Sequence, residues 1–378
     1  MKPLPSRRIL AIIGLSLITW LLTPQLFASE RIVWLEKMQP ISPERYVCRK
    51  TPAPITIDGK FEENGWKAAE WTKDFVDIEG AAKPKPHFRT RAKMLWDDQF
   101  LYIAAELEEP HVWATLTNHD SVIFHDPDFE VFIDPLGRTQ PYYEFEINAL
   151  NTTWDLRLDK PYMDNGKAAD AWEIVGAKSA VKVEGTLNQP SDIDKGWTIE
   201  MAFPWAAFTE GTRSVNPPKE AEQWRISFSR VEWQIIITNG VYQKIPKTPE
   251  ANWVWSPPGV IDMHRPEMWG TVQFTSRPRS ESISVAPLPG KAARDLALEI
   301  YYAQRDFSKT HQRWATNLSE LNWTTNKSQS DLKIPELKAT ADGYTCSVGF
   351  TEGGRQRVWK SDKIACYCWT QDNERIQY

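Results

Sequence analysis

The chain of 378 residues is long enough for one large domain or two ordinary ones, and it carries a net charge of −5 with a sequence pI near 5.8. It has no domain-scale basic surplus, so nucleic acid is not an expected partner. The compositional outlier is Trp: there are 19, thirteen of them between Trp66 and Trp269, enough to build a core from large aromatics and leave a few faces as stacking platforms.

At the N-terminus, Arg7-Arg8 precedes an apolar run from Ile9 to Leu22 that Thr23-Pro24 ends. The run spans about 14 residues, short of the roughly 20 that cross a bilayer. Residues 1–28 are therefore expected to be a secretory signal peptide ending at Ala28, with no stable membrane span after cleavage. The mature chain is expected in the periplasm, on the outer surface or outside the cell. Residues 29–45 read as a linker.

Residues 46–276 read as one domain of frequent short strands. Thr90 to Trp96 alternates, and Phe100 to Leu107 is a short apolar run. Asp128-Phe129-Glu130-Val131-Phe132-Ile133-Asp134 and Tyr142-Tyr143-Glu144-Phe145-Glu146-Ile147-Asn148-Ala149 alternate with the period of two of a strand buried on one face. The turn-rich connector between them predicts a hairpin. Phe129, Val131 and Ile133 would then share one face with Tyr143, Phe145 and Ile147. Glu130, Glu144, Glu146 and Asn148 would line the other. Such a face suits a polyhydroxylated ligand and equally matches an ordinary solvated sheet face. Further strands are expected at Thr153–Leu158, Ala177–Glu184, Trp197–Phe203, Trp224–Trp233 and Gly270–Phe274. Short strands at this spacing, punctuated by Gly, Pro, Asn and Asp, predict an antiparallel β-sandwich.

Residues 277–290 read as a second linker. In 291–378, Leu296, Ile300, Phe307 and Trp314 recur at helical intervals, and strands are expected at Thr345–Val348 and Val358–Trp369. This small helix-plus-strand domain is expected to contact a protein partner or simply cover the sandwich. Of the four cysteines, Cys48 stands alone; Cys366 and Cys368 would point to the same side of a strand. A cross-strand bridge from Cys346 to one of them is the expected pairing.

The main domain resembles the family 9 carbohydrate-binding modules and their DOMON-like relatives, in an uncharacterised bacterial branch. The resemblance runs from Ile55-Thr56-Ile57-Asp58-Gly59 with Glu63 and Trp66, through Leu95-Trp96-Asp97-Asp98, Phe129-Glu130-Val131-Phe132-Ile133-Asp134 and Gly196-Trp197-Thr198-Ile199-Glu200, to Asn252-Trp253-Val254-Trp255 and His264-Arg265-Pro266-Glu267-Met268-Trp269-Gly270. It implies a β-sandwich that clamps a terminal sugar between aromatic rings, for polysaccharide recognition or carbohydrate catabolism. Phe124 and Met263 fall at the two sandwiching positions, Glu130 matches a sugar-binding Glu, and Glu146 stands where the family has a basic residue. Phe124 and Met263 depart from the family's pair of Trp residues, so Trp154, Trp255 and His264, nearby in motif order, are expected to offer a different platform; Asn148 would join Glu130 and Glu146 on the binding face, and Arg230 would pair with the carboxylates or bind hydroxyls. The resemblance also implies structural calcium, with Asp58, Asp126 and Asp128 as oxygen ligands.

Two other functions fit the same residues. A glycoside hydrolase would use Glu130 with Glu146 or Glu144 as its carboxyl pair. A haem- or metal-binding DOMON-like domain would draw on His119, His125, His264 and Met263. No hydrolase or phosphate-binding motif is present to favour an enzyme.

Overall fold

The computed structural model describes residues 42–208, 217–288, 290–323, 333–363 and 366–370. The expected signal peptide lies outside the described residues. The architecture is mainly β. In chain order the strands are β1 (Arg45–Lys50), β2 (Val76–Asp77), β3 (Thr90–Trp96), β4 (Phe100–Glu108), β5 (Asp128–Asp134), β6 (Tyr142–Asn148) and β7 (Thr153–Leu158). They continue with β8 (Ala168–Ala169), β9 (Lys178–Glu184), β10 (Gly196–Pro204), β11 (Gln223–Glu232), β12 (Ile235–Thr238), β13 (Val241–Lys244), β14 (Ala251–Val254) and β15 (Gly270–Thr275). A short helix, α1 (Asn64–Ala68), precedes β2.

The strands form one large curled sheet in the order β8-β7-β6-β5-β11-β15-β1-β3-β4-β10-β9, with β14 and β2 branching from β11. Curling folds the sheet on itself, so that alternate residues of its two halves meet in a single core. Phe129, Val131, Ile133, Tyr143, Phe145 and Ile147 of one half pack with Met94, Leu101, Ile103, Trp197, Ile199 and Phe203 of the other. Most pairings are antiparallel, as the alternation predicts. The exception is β1, which runs parallel to both β15 and β3 and joins the two halves.

Most of the tryptophans described are structural. Trp205 meets Trp224 edge to face at 5.5 Å, and Trp224 meets Phe274 at 5.3 Å. Trp66 of α1 is fully buried and donates to Glu200 Oε1 at 2.6 Å, tying the first loop to β10.

The C-terminal region places α2 (Lys291–His311) against a four-stranded sheet of β16 (Glu336–Ala339), β17 (Tyr344–Glu352), β18 (Arg355–Asp362) and β19 (Cys366–Thr370). Ala293, Leu296, Ala297 and Ile300 recur three and four apart and cover Tyr344, Val348, Phe350 and Trp359. The helix is also tied to the sandwich: Tyr301 donates to Asp164 at 2.8 Å, and Arg265 reaches the Tyr302 hydroxyl at 3.1 Å. The single strand expected at Val358–Trp369 is two antiparallel strands, β18 and β19. This overturns the expected disulfide. Cys346 pairs in register with Ser361 of β18, and Cys366 pairs with Ser361 from the far side. An intervening strand separates cysteine backbones by about 9.5 Å, beyond the reach of a bridge. Cys346 is a free, buried thiol.

Candidate functional site

The hairpin β5–β6 forms in the register its alternation requires, with Glu130 directly opposite Glu146 and Glu146 opposite Trp154 of β7. The outward face of these strands is not a solvated surface. The segment from Trp255 to Trp269 folds back over it, and Phe132, Tyr142, Leu156, Leu158, Val254, Met263 and Trp269 make a second apolar cluster there. Trp269 donates to the Met263 carbonyl at 2.8 Å, and Tyr142 hydrogen-bonds His264 Nδ1 at 2.8 Å; both contacts hold the returning loop. The carboxylates of β5 and β6 are thereby sealed in: Glu130 is 6 % exposed, Glu144 4 % and Glu146 2 %.

Between the sheet and this loop lies a cavity of about 330 Å³, within the range of small-ligand sites. Glu130, Glu144 and Glu146 form its acidic floor. Phe124, Trp154, Tyr162 and His264 supply ring surfaces, and Met263 and Ile78 add apolar wall. Tyr162 is 45 % exposed and stands at the rim with its ring 4.4 Å from that of His264. Phe124 is fixed from both sides: its amide donates to Glu146 Oε2 at 2.9 Å, and its carbonyl accepts from Trp233 Nε1 at 2.9 Å.

The electrostatics of the floor are unusual. One ligand oxygen each from Asp128, Glu130 and Glu146 lie within 4.8 Å of one another. Burial raises the Glu130 carboxyl to about 7, and burial together with the neighbouring carboxylates drives Asp128 and Glu146 well above the usual range. Glu144 is driven up in the same way, with Glu130 as its charged neighbour. Asp128 Oδ2 and Glu144 Oε2 are buried without a hydrogen-bond partner. His264 is held neutral, its pKa lowered by burial to about 4.

Six of the nine expected contacts therefore converge on the cavity: Phe124, Glu130, Glu146, Trp154, Met263 and His264. Three do not. Arg230 neither pairs with these carboxylates nor reaches the cavity, because it is one residue out of phase and points into the inner layer. There it donates to Glu109 at 2.7 Å, to the Glu108 carbonyl at 2.9 Å and to Thr90 at 3.0 Å. Trp255 packs in the main core against Phe228, at 5.6 Å between rings. Asn148 is consumed by its own turn: its amide donates to the Leu116 carbonyl and Asp126, and its oxygen accepts from Leu150 and Thr152.

The three aspartates expected as metal ligands do not come together. Asp58 is exposed beside β10 and pairs with Lys60 at 3.1 Å, while Glu200 binds the backbone amides of its turn. Asp126 accepts from Thr115, Leu116 and Asn148. Asp128 faces Glu130 and Glu146. Nor do the expected histidines converge. His119 sits with Asp155 and Glu173 on the inward side of β7, His264 lies on the outward side, and His125 is exposed. Tyr162, Asn252 and Asp262 also line the cavity; they sit on loops or a four-residue strand, where no alternation announces them.

Two hollows of about 400 and 790 Å³ lie elsewhere, along α2 and along the 276–285 segment. Their charges are largely matched, as where Arg49 donates to the Arg277 and Pro278 carbonyls and Lys73 pairs with Glu44.

Residues 57–232 match the family described as carbohydrate family 9 binding domain-like. Over 104 residues the chain is 36 % identical to endo-1,4-beta-xylanase C of Paenibacillus barcinonensis, a match spanning 26 % of this chain and 9 % of that protein. A family 9 carbohydrate-binding module from Caldicellulosiruptor kristjanssonii, solved with cellotriose, is 15 % identical, with a TM-score of 0.41 over 65 % of this chain and all of that one. Its complex with glucose gives 16 % identity and a TM-score of 0.40 over 64 % and all of the two chains.

Proposed function

We propose that this chain, which carries a family 9 carbohydrate-binding-module-like domain over residues 57–232, is an exported, non-catalytic protein that holds a sugar in the cavity above β5, β6 and β7. The observation that carries this reading is the meeting of ring faces with buried hydrogen-bond acceptors in one ligand-sized space. Phe124, Trp154 and Tyr162 offer surfaces for the C–H faces of a pyranose, and Glu130, Glu144 and Glu146 offer acceptors for its hydroxyls. The domain-level family match supports the same reading. The openness at Tyr162 suits the end of a chain rather than its middle, because the loop from Trp255 to Trp269 closes the opposite side.

The test is a binding screen of the full chain against mono- and oligosaccharides, with and without calcium, followed by calorimetry on Glu130→Ala and Trp154→Ala. Selective binding lost in both variants, with melting temperatures within a few degrees of the parent, is the expected result. Silence across all sugars under both conditions would sink the proposal. Release of new reducing ends during the assay would reassign Glu130 and Glu146 to catalysis.

A further inference from the structure

Resting on the sugar-binding reading, we propose that the sugar carries a positive charge: an unacetylated amino sugar whose ammonium group sits among Glu130, Glu144 and Glu146. The cavity's ionisable lining is one-sided. Glu130, Glu144, Glu146, Glu250 and Asp262 face it, and among the described residues no Lys or Arg does. Among the described residues only Asp262 of these acids has a protein cation of its own, accepting from Arg265 at 2.9 Å. The other basic groups around it are engaged elsewhere. Arg230 pairs with Glu109, and Lys244 lies 3.6 Å over the Trp233 ring, outside the lining.

One oxygen makes the case specific. Glu144 Oε2 belongs to a cavity-lining side chain only 4 % exposed, and it has no hydrogen-bond partner. A buried acceptor without a donor is a standing cost to the fold, larger when charged. A neutral hydroxyl would donate to only one of the carboxyl oxygens and would do nothing to favour their ionised form. An ammonium brings three donors and a charge of the right sign to a floor where three of the carboxylates already come within 4.8 Å. The rings above suit the same ligand, since an aromatic face attracts both sugar C–H groups and a nearby cation. A bare metal ion would fill only a small part of 330 Å³ and would leave Phe124, Trp154 and Tyr162 without a purpose.

The experiment is calorimetry on the full chain at neutral pH with chelator present. It compares a glucosamine disaccharide with its N-acetylated form, with cellobiose and with a simple alkylamine. The amino sugar is expected to bind at least about tenfold more tightly than the others, the size of one charge-assisted hydrogen bond. Glu144→Gln should erase most of that preference, whereas Trp154→Ala should weaken every sugar alike. Cellobiose binding as well as the amino sugar would overturn the inference and leave the sugar reading intact. An alkylamine binding as tightly would show that charge alone is read, and would also overturn it. No sugar binding at all would remove the reading beneath it. Binding of calcium at the floor after chelator removal, with no amino-sugar preference, would assign the carboxylates to a metal instead.

Discussion

The two faces of β5 and β6 are almost equally buried and chemically opposite. Inward, Phe129, Val131, Phe145 and Ile147 join a packed apolar core. Outward, Asp128, Glu130, Glu144 and Glu146 are buried with raised carboxyl pKa values, and Asp128 and Glu144 each keep one unpartnered oxygen. Arg230 on β11 shows that the fold can satisfy a buried charge when stability is all that matters, since it has Glu109, a carbonyl and a hydroxyl around it. Of the outer carboxylates, Glu146 accepts from the Phe124 amide and Asp128 from the Val231 amide, but among the described residues none is paired with a cation. The difference teaches that burial here serves two ends: one face is close-packed and supports the fold, and the other, in the function proposed above, holds acceptors for a ligand.

The sharpest way to break that comparison is to damage the inner face. Phe145→Ala removes a ring packed 5.0 Å from that of Phe203 and should cost about 3–5 kcal/mol in urea unfolding. Arg230→Met leaves Glu109 buried without its partner and should cost about 3–5 kcal/mol by the same measurement. The outer face should respond with the opposite sign. Glu144→Gln removes a buried carboxyl that has no cation to pair with and is crowded by Glu130, and the empty protein should gain ~1–3 kcal/mol once the pH is high enough to ionise the cluster. A loss of stability there would mean the carboxylates are structurally satisfied after all.

The same carboxylates predict an inverted pH dependence. Glu130 has its folded pKa raised from 4.5 to about 7. The unfolded chain therefore releases this proton first as pH rises, and the stabilisation is full below about 4.5 and lost on passing through 7. Asp128, Glu144 and Glu146 shift in the same direction. His264 opposes them at the acid end: its folded pKa is lowered from 6.5 to about 4, so its contribution is lost as pH falls through that window. With four carboxyls set against one imidazole, the melting temperature of the empty protein should accordingly drop between about pH 4.5 and 7. Glu144→Gln should flatten the drop, and a melting temperature that rises over this range would refute the account. The smallest effect is expected at Asp58: Asp58→Asn loses only an exposed pair with Lys60 and should leave the melting curve unchanged.

Period-two alternation was sufficient, by itself, to place β3, β4, β5, β6, β7 and β10 and to set Glu130 opposite Glu146, because a strand's two faces are dictated by local geometry alone. The order of short strands also determined the β-sandwich class, and the helical repeat of Leu296 and Ile300 determined α2. What only the tertiary structure decided is what lies across from each face. Alternation does not say whether a carboxylate-bearing face meets water or a returning loop, and here the segment from Trp255 to Trp269 makes it the floor of a cavity that opens only at one side. Arg230 and Trp255 look like site residues by motif order, yet they belong to the inner core because each is one residue out of phase with the cavity. Asn148 has the right phase but is used up by its own turn. Tyr162 and Asp262 reach the cavity from segments without periodicity. Phase along a strand is local, whereas the partner of a face is set by contacts between residues a hundred positions apart, as when Tyr142 meets His264.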